Sequence, residues 1–295
     1  MISNFKLFTL LFAVLVFSAC TNDAGKEVTV SDEDLTELDE LPKNDVVYSI
    51  PSPNEQYDLL YTLTNQVDQT IVNDLASAKN YNTIEQKALN FGVYLSDAAY
   101  LLKYNQGKKV FINYVSVLDK LGSEIDITKI YGEELLKEIE SAEGDNDRLY
   151  ELSSDNYLKI FDQLIENNKG AELALILTGS WIETFHILFH SAGEFNENLD
   201  IQEYILDQRY MLENLEGFAQ MYGDNENVKN SLTNLSAILD MYNQLDCRDS
   251  KIEIKEKENV KVLDGGMSCV FNEKSYDDMK AKVEEIRKSI ISIIS

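Results

Sequence analysis

Histidine is nearly absent from this chain: His186 and His190 are the only two among 295 residues. An imidazole-based site therefore has one place to form. Three prolines and thirteen glycines give little punctuation, and there is no Pro-rich linker inside the body. Catalytic signatures are missing as well. No Gly-x-Ser-x-Gly, phosphate loop or Gly-x-Gly-x-x-Gly occurs, which closes the usual routes to an activated serine, a cradled phosphate or a bound dinucleotide. Positive charge is scarce, with 26 Lys and Arg against 52 Asp and Glu, net −26. Such a surface repels phosphate backbones and anionic headgroups, which excludes nucleic acid as a partner and membrane attachment by charge. The acidity reads either as a solvated face that aids solubility or as a surface that collects cations and basic partners.

What is present begins at the N-terminus. Lys6 is followed by an apolar run from Leu7 to Phe17 and then by Ser18-Ala19-Cys20. A short basic start, an apolar core and small residues before a cut site make a secretory signal. The run is too short for a bilayer span, which takes roughly 20 apolar residues. Phe17-Ser18-Ala19-Cys20 resembles the bacterial lipobox, with Phe17 in the place usually held by Leu. That resemblance implies cleavage before Cys20 and lipidation of its thiol; the alternative is an ordinary signal peptide with an incidental cysteine. Acyl chains bury about 0.8 kcal/mol per CH₂, so two or three hold a protein on a membrane without a spanning helix. Residues 1–19 are therefore expected to be a lipoprotein signal peptide, and residues 20–50 a lipidated cysteine with an acidic, disordered tether. The tether carries Asp32, Glu33, Asp34, Glu37, Asp39 and Glu40 with few large apolar groups, too little to fold on its own. Thr21 follows the cysteine, not the Asp associated with inner-membrane retention, so the outer membrane is favoured, on either face. Lys6 is the only charge in 1–19, so removal of that segment leaves 25 basic and 52 acidic residues, net −27.

Residues 51–295 read as a single helical domain, long enough to bury a full core. Apolar residues recur at helical spacing from Tyr57 through Leu60, Val67, Ile71 and Leu75, and again over about 83–104, 107–121, 129–142, 146–168, 170–191, 201–222, 225–246 and 273–294. Breaks fall at Gly107, Gly122, Gly144, Gly170, Gly193 and Gly223. Short turns between long helices predict a mainly all-α, multi-helix bundle of antiparallel hairpins. One stretch differs. Lys251 to Leu263 alternates apolar and polar residues, which predicts a β-hairpin at 250–264, before the last helix, turning near Glu258-Asn259. Cys247 and Cys269 bracket it. In an oxidising compartment they can pair, closing a loop of about 23 residues worth roughly 3 kcal/mol; two free thiols are the alternative.

Two short segments echo each other. Phe91-Gly92-Val93-Tyr94-Leu95-Ser96-Asp97 and Thr178-Gly179-Ser180-Trp181-Ile182-Glu183 both run Gly, any residue, aromatic, aliphatic, with an acid close behind. Glycine inside a helix costs about 1 kcal/mol against Ala, and close approach of a partner helix would offset it. The segment 170–191 is apolar nearly all round, which predicts a central helix. Its polar residues Glu172, Glu183, His186 and His190 fall with Gly179 on one narrow stripe. Glu183-x-x-His186 has the spacing of carboxylate-bridged di-iron bundles, and His186-x-x-x-His190 puts two imidazoles on one face. Glu183, His186 and His190 are thus the candidate ligands for a divalent metal, with Asp97 as an outside carboxylate. Against this, a di-iron bundle wants a second Glu-x-x-His, and no third histidine exists. The simpler reading puts the stripe where the helix meets solvent, with histidine favoured near the helix C-terminus by the dipole. No catalytic residue is assigned and no cofactor is required.

The lipobox, the acidic tether, the two Gly-x-aromatic segments and the late Val283-Glu284-Glu285-Ile286-Arg287 together resemble helical envelope lipoproteins of the Bacteroidota type. The resemblance implies a helical fold and a lipid anchor, and no activity. The expectation is a non-catalytic binding or interaction module, held to the membrane by its lipid and taking a protein or small-molecule ligand between helices, with 16 tyrosines to line a groove.

Overall fold

The computed structural model describes residues 50–127, 132–257 and 260–292, with backbone alone over 249–267. The expected signal peptide, Cys20 and the tether up to residue 49 lie outside the described residues. The helices are α1 (Pro53–Leu63), α2 (Ile84–Lys103), α3 (Lys108–Ser123), α4 (Glu133–Ser141), α5 (Asn146–Glu166), α6 (Gly170–Ala192), α7 (Leu199–Gln220), α8 (Glu226–Asn243) and α9 (Glu273–Ile291), with a 3₁₀ turn at Leu75–Asn80. The fold is mainly all-α, with one antiparallel hairpin, β1 (Asp246–Lys257) and β2 (Val260–Val270), before the last helix.

Helix starts follow from capping chemistry. Ser52 accepts from the Glu55 N–H while Glu55 returns to the Ser52 N–H, and Thr83 with Gln86 closes the same box on α2. Asp145, Asn198, Asn225 and Asn272 cap α5, α7, α8 and α9 with side-chain oxygens. The helix ends expected at Gly107 and Gly193 lie at backbone turns with φ of 84° and 74°, which glycine adopts without strain. On α3 the buried residues are Phe111, Tyr114, Val115, Leu118, Leu121 and Gly122, one face at helical spacing.

Helices α2 and α6 are the central pair, buried nearly all round and wrapped by α1, α3, α5, α7, α8 and α9. They cross at the two echo glycines. A Cβ on Gly92 would fall inside the backbone of Ile176 and Ser180, and one on Gly179 inside the backbone of Leu89. The crossing is backbone against backbone, and only glycine fits on either side. Helix α6 is long and apolar enough to cross a membrane by composition, but 94% of its most apolar window is buried in the protein.

Two expectations change. Helical spacing from Tyr57 to Leu75 predicts one continuous helix, yet α1 ends at Leu63. Val67, Ile71 and Leu75 still pack on the core, but Val67 and Ile71 do so from a loop and Leu75 from the start of the 3₁₀ turn. There the chain bonds to distant partners: the Asp68 N–H donates to Tyr100 Oη at 2.9 Å, and Tyr104 Oη donates to Thr64 O at 2.9 Å. The hairpin is longer than 250–264, with strands from 246 to 270 and an irregularity between Ser250 and Glu253. The turn residues Glu258 and Asn259 lie outside the described residues. Cys247 and Cys269 face each other across the ladder and are joined by a disulfide, so they clamp the strands from within.

Candidate functional site

The middle of the polar stripe of α6, Glu183 and His186, points into the protein. The loop after α1 and helix α9 close over it, and each polar residue meets a different partner. Glu183, with no exposed surface, is held by a two-pronged contact: Arg287 Nε and Nη2 donate to its two oxygens, each at 2.7 Å. This fork is the arrangement in which guanidinium and carboxylate bind best. Arg287 Nη2 also donates to Ile71 O at 2.9 Å, which ties the loop to the ion pair. Burial opposes the guanidinium charge, but the Glu183 contact outweighs it and raises Arg287 above its ordinary pKa.

Asp97 arrives from α2, wholly buried. Its Oδ2 accepts from the Asn73 N–H at 3.0 Å, and its carboxyl faces that of Glu183. Among the described residues, Oδ1 receives no N–H or O–H. Burial first, and then the neighbouring Glu183 charge, push the Asp97 pKa well above the ordinary carboxylate range. A proton on Asp97 turns the contact into an O–H···O⁻ hydrogen bond and leaves one negative charge for one Arg287. Beneath lies a hydroxyl layer joining three helices: Tyr57 Oη to Ser96 Oγ at 2.6 Å and Ser96 Oγ to Thr184 Oγ1 at 2.9 Å.

Further along the stripe, His186 Nδ1 bonds Glu284 of α9 and Nε2 lies 3.3 Å from Ile71 O. Burial alone would raise Glu284, but the His186 hydrogen bond and charge, with Arg287, hold its pKa below the ordinary value. His190, at the exposed end, bonds Asp68 at 3.0 Å. Asp68 is held below its ordinary value mainly by the Thr70 hydroxyl and N–H. At the C-terminus of α6, Gly193 O accepts from Tyr276 Oη at 2.9 Å and Lys280 Nζ at 2.8 Å. Lys280 thus supplies the cation that the helix dipole favours there.

Sequence reasoning picks out Glu183, His186, His190 and Asp97, and the structure brings Asp97 and Glu183 together. It spreads Glu183, His186 and His190 over three separate partners: Arg287, Glu284 and Asp68. Among the described residues, no group of three or more His, Cys, Asp or Glu side chains is arranged to hold a metal ion. The stripe meets solvent only toward its two ends, at Glu172, which pairs with Lys169, and at His190, whose side chain is 47% exposed. Sequence reasoning does not single out Arg287, Glu284 and Asp68 as partners. Arg287 carries a usable signal, since Met279, Val283 and Arg287 recur every fourth residue and place a guanidinium on the buried face of α9.

Open space lies elsewhere. A cleft of about 240 Å³ is lined by Asp68, Tyr100, His190 and Glu197 at the exposed end of the stripe. A larger one, of about 410 Å³, lies between the N-terminal part of α2, α8 and the end of α9. The tyrosines expected to line a groove serve largely as ties: Tyr94 to Asp74 O and Tyr276 to Gly193 O at 2.9 Å, and Tyr204 to Gln56 O at 3.2 Å. In comparisons with known protein families, curated proteins and solved structures, the chain matches none.

Proposed function

We propose that this chain is a lipid-anchored bacterial envelope protein, attached through Cys20 to the outer membrane, whose helical body is a non-catalytic binding module for a protein or small ligand. One observation carries the reading. Glu183, His186 and Asp97 are committed to internal partners that hold α2, α6, α9 and the loop at Ile71 together, and His190 is taken up by an ion pair with Asp68 at the surface. These residues are taken up by the scaffold, and two polar clefts are open to solvent. The rival is a divalent-metal protein using Glu183, His186 and His190. It would require Arg287, Glu284 and Asp68 to give up their contacts, leaving a buried guanidinium unpaired at a cost of about 3–5 kcal/mol.

Two measurements test this. Cys20→Ser should stay unprocessed and move from the detergent phase to the aqueous phase on phase separation. If that variant matures and partitions like the wild type, the anchor reading fails. Protein purified without chelator should carry no stoichiometric metal by mass spectrometry. Iron, zinc or manganese near one per chain, lost in His186→Ala, would put the rival in its place.

A further inference from the structure

The cleft of about 410 Å³ falls in the roughly 300–1,000 Å³ span of small-ligand sites. Its lining carries little charge. In a chain with 52 acidic residues, Glu85 is the only ionisable side chain among the lining residues, and Asn230 Nδ2 lies 3.4 Å from its carboxylate. The other polar groups are hydroxyls and amides. Ser231 is only 2% exposed, lines the cleft and has no protein hydrogen bond among the described residues. Buried hydroxyls are ordinarily satisfied, so one turned toward an open cleft without a protein partner leaves a place for a ligand or water. Asn234, one turn along α8, likewise makes no protein hydrogen bond among the described residues. Gln86 uses its Oε1 to accept from the Asn82 and Thr83 N–H groups, which leaves its Nε2 as a donor. Thr178 Oγ1 gives its proton to Ala174 O and keeps an acceptor face. Leu89 and Ile290 add an apolar patch.

We infer that this cleft binds an uncharged, polyhydroxylated ligand of the saccharide class. The chemistry selects it in three steps. The near absence of charge gives no hold on an ion. Donors and acceptors in one small space match hydroxyl groups, each of which both gives and takes a hydrogen bond. The apolar patch suits the C–H face of a sugar ring, while an aromatic or wholly apolar ligand would leave Ser231 and Asn234 unpaired. The inference rests on the binding-module reading and can fail by itself.

The test uses the lipidated full-length protein in a detergent without a sugar headgroup. Glucose, galactose, N-acetylglucosamine and cellobiose are titrated and followed by calorimetry and saturation-transfer NMR. At least one should bind saturably, with an affinity unchanged between low and high salt. Asn234→Leu should weaken it about tenfold, and Ser231→Ala about fivefold, in line with the loss of one or two hydrogen bonds. Ser231→Ala removes a single oxygen and keeps the test sound if the larger change disturbs α8. No binding by any of the four sugars overturns the inference, as does binding that both variants leave intact or that salt weakens. An anchored protein that instead binds a charged amine or a peptide would keep the module reading and overturn this one.

Discussion

At Asp97 two effects act in the same direction. Burial disfavours a charge, and Glu183 places a second carboxylate beside it, while the Asn73 N–H and Arg287 pull the other way without prevailing. A group whose folded pKa is raised contributes stability that is fully present below its unfolded value, about 3.9 for Asp. That contribution is lost as pH rises through the folded pKa. An asparagine in its place would mimic the protonated form, its side-chain oxygen accepting from Asn73 and its amide donating to Glu183. Asp97→Asn is therefore expected to match the wild type near pH 4 and to become the more stable of the two toward neutrality. The gap should widen by at most about 1.4 kcal/mol per pH unit. Denaturant melts across that range check it, and a gap that stays flat or reverses sign would show that Asp97 is not the buried acid.

Among the elements, the α2–α6 crossing is the least forgiving. A methyl group at Gly179 would meet the Leu89 backbone, which has no rotamer to offer. Overpacking of a rigid contact costs about 1–3 kcal/mol. With backbone on both sides, Gly179→Ala should lie at the upper end, a fall in melting temperature of roughly 10 °C for a body of this size. A shift under about 2 °C would mean that the helices slide apart freely. The crossing was legible in the sequence because two mid-helix glycines demand a reason. The buried span 170–191 and the alternating Lys251–Leu263 stretch were legible for a similar reason, since periodicity records which side of an element meets the core. The early end of α1 was not. Asp68 and Thr70 form a local side-chain turn, while Tyr100, His186 and Arg287 fix the loop from far along the chain. Such partners leave no local trace. The candidate site was half legible on the same grounds: Glu183 and Asp97 stand out as acids in apolar segments, whereas the spacing of Met279, Val283 and Arg287 puts Arg287 on the buried face of α9 but does not say which acid, 104 residues back, it meets.

For the helical body, 43 acidic and 23 basic residues over 51–295 give a net charge of −20, a repulsion that the folded state concentrates into a small volume. Raising salt from about 0.01 M to about 1 M shortens the screening length from ~30 Å to ~3 Å. The melting temperature should rise monotonically over that range, by a similar amount with sodium chloride or potassium chloride. A fall would mean that ion pairs outweigh repulsion. The Asp97–Glu183–Arg287 cluster has a further consequence, which lies in time. Ribosomes add about 5–20 residues per second, so the 104 residues between Glu183 and Arg287 take roughly 5–20 s to make. Throughout that interval the two acids exist and their counter-charge does not. Glu183 can be buried as an ion only once Arg287 is there to answer it, so the polar core is completed by α9.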